Sequence, residues 1–153
     1  MTQGALVKPH AGIPAMATKD IQFVRELEIA MLKTPQAEMV TRHVIHAGMY
    51  ARTVRIPAGV VIAGAEIKLA TLLIVSGHVL VTVGDKAMEL VGYHVLPASS
   101  GRKQAFYAKA DTDLTMVFTT SASSVEEAEH QFTDEADRLL SRQWENDVVI
   151  TGE

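Results

Sequence analysis

Between Ile56 and Phe106 the apolar and polar positions fall into short runs cut by turn residues, and the rest of the chain is arranged around that stretch. Ile56-Pro57-Ala58-Gly59 reads as a turn, with proline fixing φ and glycine freeing it. Val60 to Val75 follows, almost continuously apolar and β-branched, and Gly64 inside it predicts two short strands with a bend rather than one long strand. Ser76-Gly77 predicts the next turn. His78 to Val83 then alternates small or polar with apolar residues as a strand does, and Gly84-Asp85-Lys86 closes it. Ala87 to Val91 and Tyr93 to Leu96, divided by Gly92 and stopped by Pro97, predict two further strands. After the polar loop Ala98 to Lys103, strands resume at Gln104 to Ala108 and Leu114 to Thr119. Short strands with turns at this density predict a mainly β, antiparallel sandwich or barrel.

The flanks carry a different periodicity. Met1 to Ala17 holds Gly4, Pro9, Gly12 and Pro14 with few bulky apolar residues, which predicts an extended N-terminal arm ahead of one domain over 18–153. Thr18 reads as a helix N-cap with Asp20 in the first turn, and Ile21, Val24, Leu27 or Glu28, Met31 and Leu32 form an approximate helical stripe that Pro35 ends. This helix is expected to cover an open end of the sheets. Glu38 to Val44 and Met49 to Arg55 predict the first two strands. Ser124 and Glu127 form a capping box that opens a helix to about Phe132; a second helix is expected from Thr133 to Gln143. Val148 to Thr151 then reads as a last strand, pairing with an edge of its own sheet or with a neighbouring subunit.

Composition narrows the function classes. At 153 residues, 48% hydrophobic and 21% charged, the chain is long and apolar enough for a core of its own. The absence of cysteine removes disulfides, thiolate nucleophiles and zinc–thiolate sites. A net charge of -4 offers no electrostatic basis for nucleic-acid binding. Val60 to Val75 is interrupted by Gly64, Glu66 and Lys68 and is too short to span a membrane, and no basic-then-apolar leader opens the sequence. Synthesis in the cytoplasm is expected.

Few side chains point to chemistry. His43 and His46 lie three apart on a predicted strand and so face opposite sides, as do Arg52 and Arg55. His78 and His94 have no Ser, Cys or carboxylate beside them in sequence. Ser99, Ser100, Arg102 and Lys103 are the candidate anion-binding group, because small residues expose backbone N–H groups, two hydroxyls donate and two cations follow. The acids Glu126, Glu127, Glu129, Asp134, Glu135 and Asp137 read as a solvated helix face. No catalytic set is expected.

The order IPAG, apolar strand, VSG, VLVTVGD, ELVGY, VLPASSG, QAF and LTMVF resembles the core of the cupin family over roughly residues 54–119. The resemblance implies a cupin-like jelly roll, here with an N-terminal helix and C-terminal helices. Its pattern would place metal-binding histidines and a glutamate near Gly64, Glu66 and Ala70, and a last histidine at Arg102 or Gln104. A single carboxylate among these does not make a transition-metal site, which takes three or four protein ligands. No metal and no cofactor are therefore expected.

The stretches RHVIHAGMYARTV, GYHVLPASSGRKQAF and FTDEADRLLSR resemble small proteins encoded by tailed bacteriophages and prophages. That resemblance implies a non-catalytic virion accessory protein, made in the host cytoplasm, that decorates the capsid surface as a homo-oligomer and clamps neighbouring major capsid subunits. Its contact residues are expected in the arm (Leu6, Val7, Pro9, Ile13, Met16) and in the last strand (Val148, Val149, Ile150). The alternative is a metal-free module that binds an anionic small molecule or nucleotide.

Overall fold

The computed structural model describes residues 12–152. Helix α1 (Thr18–Met31) is followed by β1 (Thr41–His46), β2 (Met49–Ile56), β3 (Val61–Ala63), β4 (Thr71–Val83), β5 (Lys86–Ala98), β6 (Ala105–Ala108) and β7 (Thr112–Thr119). Helix α2 (Val125–Phe132) and two 3-10 turns at Ala136–Arg138 and Leu140–Arg142 lead to β8 (Asn146–Ile150). The strands form one curled sheet in the order β3-β6-β4-β7-β2-β1-β8, with β5 on the other side of β4. The architecture is a mainly β half-barrel made of one curled sheet.

Several expectations are corrected. The sheet is mixed, because β8 returns through α2 and the 3-10 turns and lies parallel to β1. The last strand thus pairs within its own chain. Only one C-terminal helix forms, and the expected second one breaks into the two 3-10 turns. Ser76-Gly77 and Gly92 do not end strands. Gly77 faces Gly92 in the middle of two thirteen-residue strands, with φ of 146° and 87°. The pair bends the hairpin into a corner, so that Leu72–Ser76 of β4 run beside β7 while Val79–Val81 run beside β6. Corner and turn leave the same local signal, a glycine between β-branched runs.

Ser124 caps α2 as expected, its hydroxyl accepting the Glu127 N–H at 3.2 Å. Ala17, not Thr18, is the N-cap of α1 and gives no side-chain bond. One core cluster fills the corner with Val75, Val79, Val81, Met88 and Leu90, and a second closes the other end through Tyr50, Phe118 and Phe132. Phe118 meets both other rings edge-on. No helix among the described residues is long and apolar enough to cross a membrane.

Candidate functional site

Between the two clusters lies a cavity of about 140 Å³, walled by strands β2, β3, β4, β6 and β7 and capped by Phe132, Leu139 and Leu140. Its lining is apolar except for Arg52, Arg102 and Gln104. Arg52 is placed by strand parity: Tyr50 and Ile56 of the same strand are fully buried, and Arg52 points inward with them.

Arg52 is compensated. Its Nη1 donates to Glu129 Oε2 at 2.9 Å and to Ser141 Oγ at 3.2 Å, and its Cζ sits 5.5 Å from the centre of the Phe132 ring. Glu129 is 1% exposed and also accepts from Ser141 Oγ and, at 2.8 Å, from Arg142 Nε. Burial raises a carboxyl's pKa, but these hydrogen bonds and the Arg52 charge outweigh it and hold Glu129 below its ordinary 4.5.

Arg102 is not compensated in this way. It is 2% exposed, and its guanidinium donates to Ser99 O at 2.7 Å, Thr71 Oγ1 at 2.9 Å and Leu69 O at 3.4 Å. No carboxylate among the described residues lies within salt-bridge distance of it, and burial pushes its pKa down to about 10. Gln104 donates to Thr82 O at 2.9 Å, which leaves its carbonyl oxygen without a described partner.

The expected anion-binding loop separates into different roles. Ser99 and Ser100 are exposed, Arg102 turns into the cavity, and Lys103 is fully buried. Lys103 Nζ lies 2.8 Å from Glu135 and 3.2 Å from Glu28, so its charge is spent on tying α1 to the barrel. Arg25 completes the tie by bridging Glu135 and Glu66. Glu129 and Glu135 are therefore corrected from solvated acids to buried partners of cations. Leu6, Val7 and Pro9 lie outside the described residues. Ile13, expected as a partner contact, is 2% exposed and bridges Ala98, while Met16 is half-buried and bonds Gly101 through its N–H. Val148, Val149 and Ile150 are exposed on the edge strand. His43 is buried and His46 exposed, on opposite faces; His78 pairs with Glu89 at 2.6 Å and His94 bonds a backbone carbonyl.

The positions that the cupin pattern would give to metal ligands now have a geometry. Gly64, Arg102 and Gln104 line the cavity and offer no side chain, a cation and an amide, whereas Ala70 and Glu66 do not line it and the Glu66 carboxylate is paired with Arg25. Among the described residues no three His, Cys, Asp or Glu side chains converge. This donor set does not fit a transition-metal cation, which a buried guanidinium would repel.

No protein-family model matches the sequence, and no curated protein is similar to it. Solved structures share its chain course. A cupin superfamily protein from Desulfitobacterium hafniense DCB-2 is 15% identical with TM-score 0.48, covering 60% of this chain and 86% of its own. A cupin-2 domain protein from Shewanella frigidimarina is 13% identical with TM-score 0.44, over 67% and 96%. A salicylate 1,2-dioxygenase from Pseudaminobacter salicylatoxidans is 15% identical with TM-score 0.49, and the match spans 74% of this chain but 35% of the enzyme. The likeness is one of fold alone.

Proposed function

We propose that the protein is a metal-free, cupin-like binding module whose cavity takes a compact organic anion, its carboxylate on Arg102 and its apolar body against Phe106, Leu114 and Met116. The observation that carries this reading is Arg102 itself, a buried guanidinium facing an apolar cavity with no carboxylate of the described chain beside it. An uncompensated buried charge is costly, and a ligand that brings the counter-charge removes the cost. The cavity, about 140 Å³, is close to the ~150 Å³ that encloses a benzene ring, which favours a benzoate-sized anion over a nucleotide. Two guanidiniums and an amide bind anions but transfer no proton at neutral pH, so the reading is of a binder rather than a catalyst.

The test is calorimetric titration of benzoate and hexanoate into the full chain with chelator present. Saturable binding is expected, weakened more than about tenfold in Arg102→Gln by loss of a charged hydrogen bond. Gly64→Val narrows the cavity without touching the guanidinium and is expected to weaken binding as well. No saturation with either anion ends the proposal.

A second reading, the capsid accessory protein, draws on β8, whose Val148, Val149 and Ile150 are 46–49% exposed along a free strand edge. Co-sedimentation with empty tailed-phage shells tests it. Failure to bind any shell removes it.

A further inference from the structure

We infer that the cavity is the inner half of a longer site, and that its ligand is a straight-chain aliphatic carboxylate whose tail passes β3 into an outer groove. The inference rests on the Arg102 reading above and names the class of anion that site takes. A second cavity, of about 340 Å³, lies between β3, the last turn of α1 and the segment 34–39 that follows it. Ile62, Ala63 and Leu140 line both spaces, so the wall between them is one residue thick. Strand β3 supplies two of those three residues. It is three residues long, ends the sheet and pairs only with β6, which makes the wall lightly tied. In that pairing Ile62 faces Phe106, so a ligand body packed on Phe106 has Ile62 as its next neighbour toward the groove.

The chemistry of the groove suits a methylene chain. Met31, Leu32, Met39, Val60 and Val61 line it, with Leu32 58% and Val61 40% exposed, and two flexible thioethers can follow the shape of a tail. Its polar side chains are already occupied or wet. Glu28 lies 3.2 Å from Lys103 Nζ, Thr34 and Gln36 donate to Met31 O at 2.7 and 2.9 Å, and Gln143 is exposed. No lysine or arginine among the described residues lines the groove, so the far end of a dicarboxylate or a phosphate ester finds no counter-charge there. The one uncompensated cation, Arg102, stands on the inner side of the wall and takes the carboxylate. Length then divides the ligand. An inner space close to the ~150 Å³ that encloses benzene holds about six carbons, so hexanoate stays inside and further methylenes enter the groove. Each methylene buried there tightens binding by up to about fourfold.

The test is calorimetric titration of the full chain with hexanoate, octanoate and decanoate, below micelle formation and with chelator present. Decan-1-ol, which keeps the tail and lacks the carboxylate, is the control. Affinity is expected to rise about two- to fourfold per methylene from hexanoate to decanoate, with the alcohol more than about tenfold weaker than decanoate. Leu32→Glu sets a carboxylate in the groove at a mostly exposed position. It is expected to erase the gain of decanoate over hexanoate and to leave hexanoate and benzoate binding unchanged. A measurement without variants accompanies it: the methyl signals of Leu32, Met39 and Val61 move with decanoate and stay still with hexanoate. Affinity that is flat or falls beyond hexanoate overturns the inference and leaves the cavity proposal standing. A gain that Leu32→Glu leaves intact also overturns it, as does an alcohol that binds as tightly as decanoate. Absence of binding by benzoate, hexanoate and decanoate alike ends both proposals.

Discussion

The His43 Nδ1 atom lies 2.7 Å from the Tyr50 hydroxyl, and the direction of that hydrogen bond is fixed from the far side of the ring. Asn146 donates through Nδ2 to Ser141 O and Trp144 O, which turns its carbonyl oxygen toward His43 Nε2 at 2.6 Å. An amide oxygen only accepts, so Nε2 carries the proton and Nδ1 accepts from Tyr50. Arg52 Nη1 then approaches the Tyr50 oxygen at 3.5 Å, joining the β8 edge to the cavity by one buried polar chain.

Tyr50→Phe removes the only described donor to Nδ1 and leaves a buried acceptor bare. Chemical denaturation is expected to show a loss of about 1–3 kcal/mol, and more than His43→Leu paired with Tyr50→Phe, which removes both partners.

The same chain predicts acid sensitivity in two steps. Burial lowers the His43 pKa below its ordinary 6.5, so the unfolded chain takes up this proton first and stability falls as pH drops below 6.5 toward the folded value. Glu129 and Glu135 follow. Burial opposes their ionisation, but Ser141, Arg142 and Arg52 for the one, and Lys103 and Arg25 for the other, hold both below 4.5. Their contribution is full above 4.5 and is lost as pH falls through the folded values. Denaturation midpoints measured from pH 8 to 3 are expected to decline twice. A His43→Gln variant is expected to lack the first decline.

Lys103→Met takes one of two cations from Glu135, which keeps Arg25, and the cation from Glu28, so its cost is expected to stay below the about 3–5 kcal/mol of fully unpairing a buried ion. Because Lys103 ties α1 to the barrel, amide exchange in α1 is expected to accelerate more than in β4. Equal acceleration in both elements would show that α1 is held by other contacts.

Two glycines separate space from strain. An added Cβ at Gly77 would stand 2.7 Å from Asp111 O, at φ 146°; at Gly64 its nearest neighbour is Gln104 O at 3.4 Å. Gly77→Ala is expected to cost about 2–4 kcal/mol, whereas Gly64→Ala shifts stability by less than about 1 kcal/mol. Thermal unfolding of the two variants checks the contrast.

Much of this architecture is legible in residue order, and the failures have physical causes. Apolar alternation marks the His78 to Val83 part of β4, because Val79, Val81 and Val83 are buried and the residues between them are not. The cupin-like spacing leads to Gly64 and to Arg102 or Gln104, which are on the cavity wall, and to Glu66 and Ala70, which are not. What stays hidden is pairing at a distance: Lys103 meets an acid 32 residues on, and Arg52 one 77 residues on, so loop polarity and helix acidity look like solvation until the chain closes. Two signals were nonetheless available. Arg52 shares strand parity with Tyr50 and Ile56, and Glu129 stands on the stripe of Val125, Ala128 and Phe132 in α2, where an acid is either buried and paired or out of place.

The most direct measurement of the central claim is a guanidinium-selective nitrogen–proton correlation spectrum of the full chain, titrated with benzoate under chelator. Saturable movement of the Arg102 Nε–H signal together with the Gly64 and Gln104 amides is expected, while exposed Arg42 and Arg55 stay still. Movement confined to the exposed arginines, or none at millimolar benzoate, would contradict it.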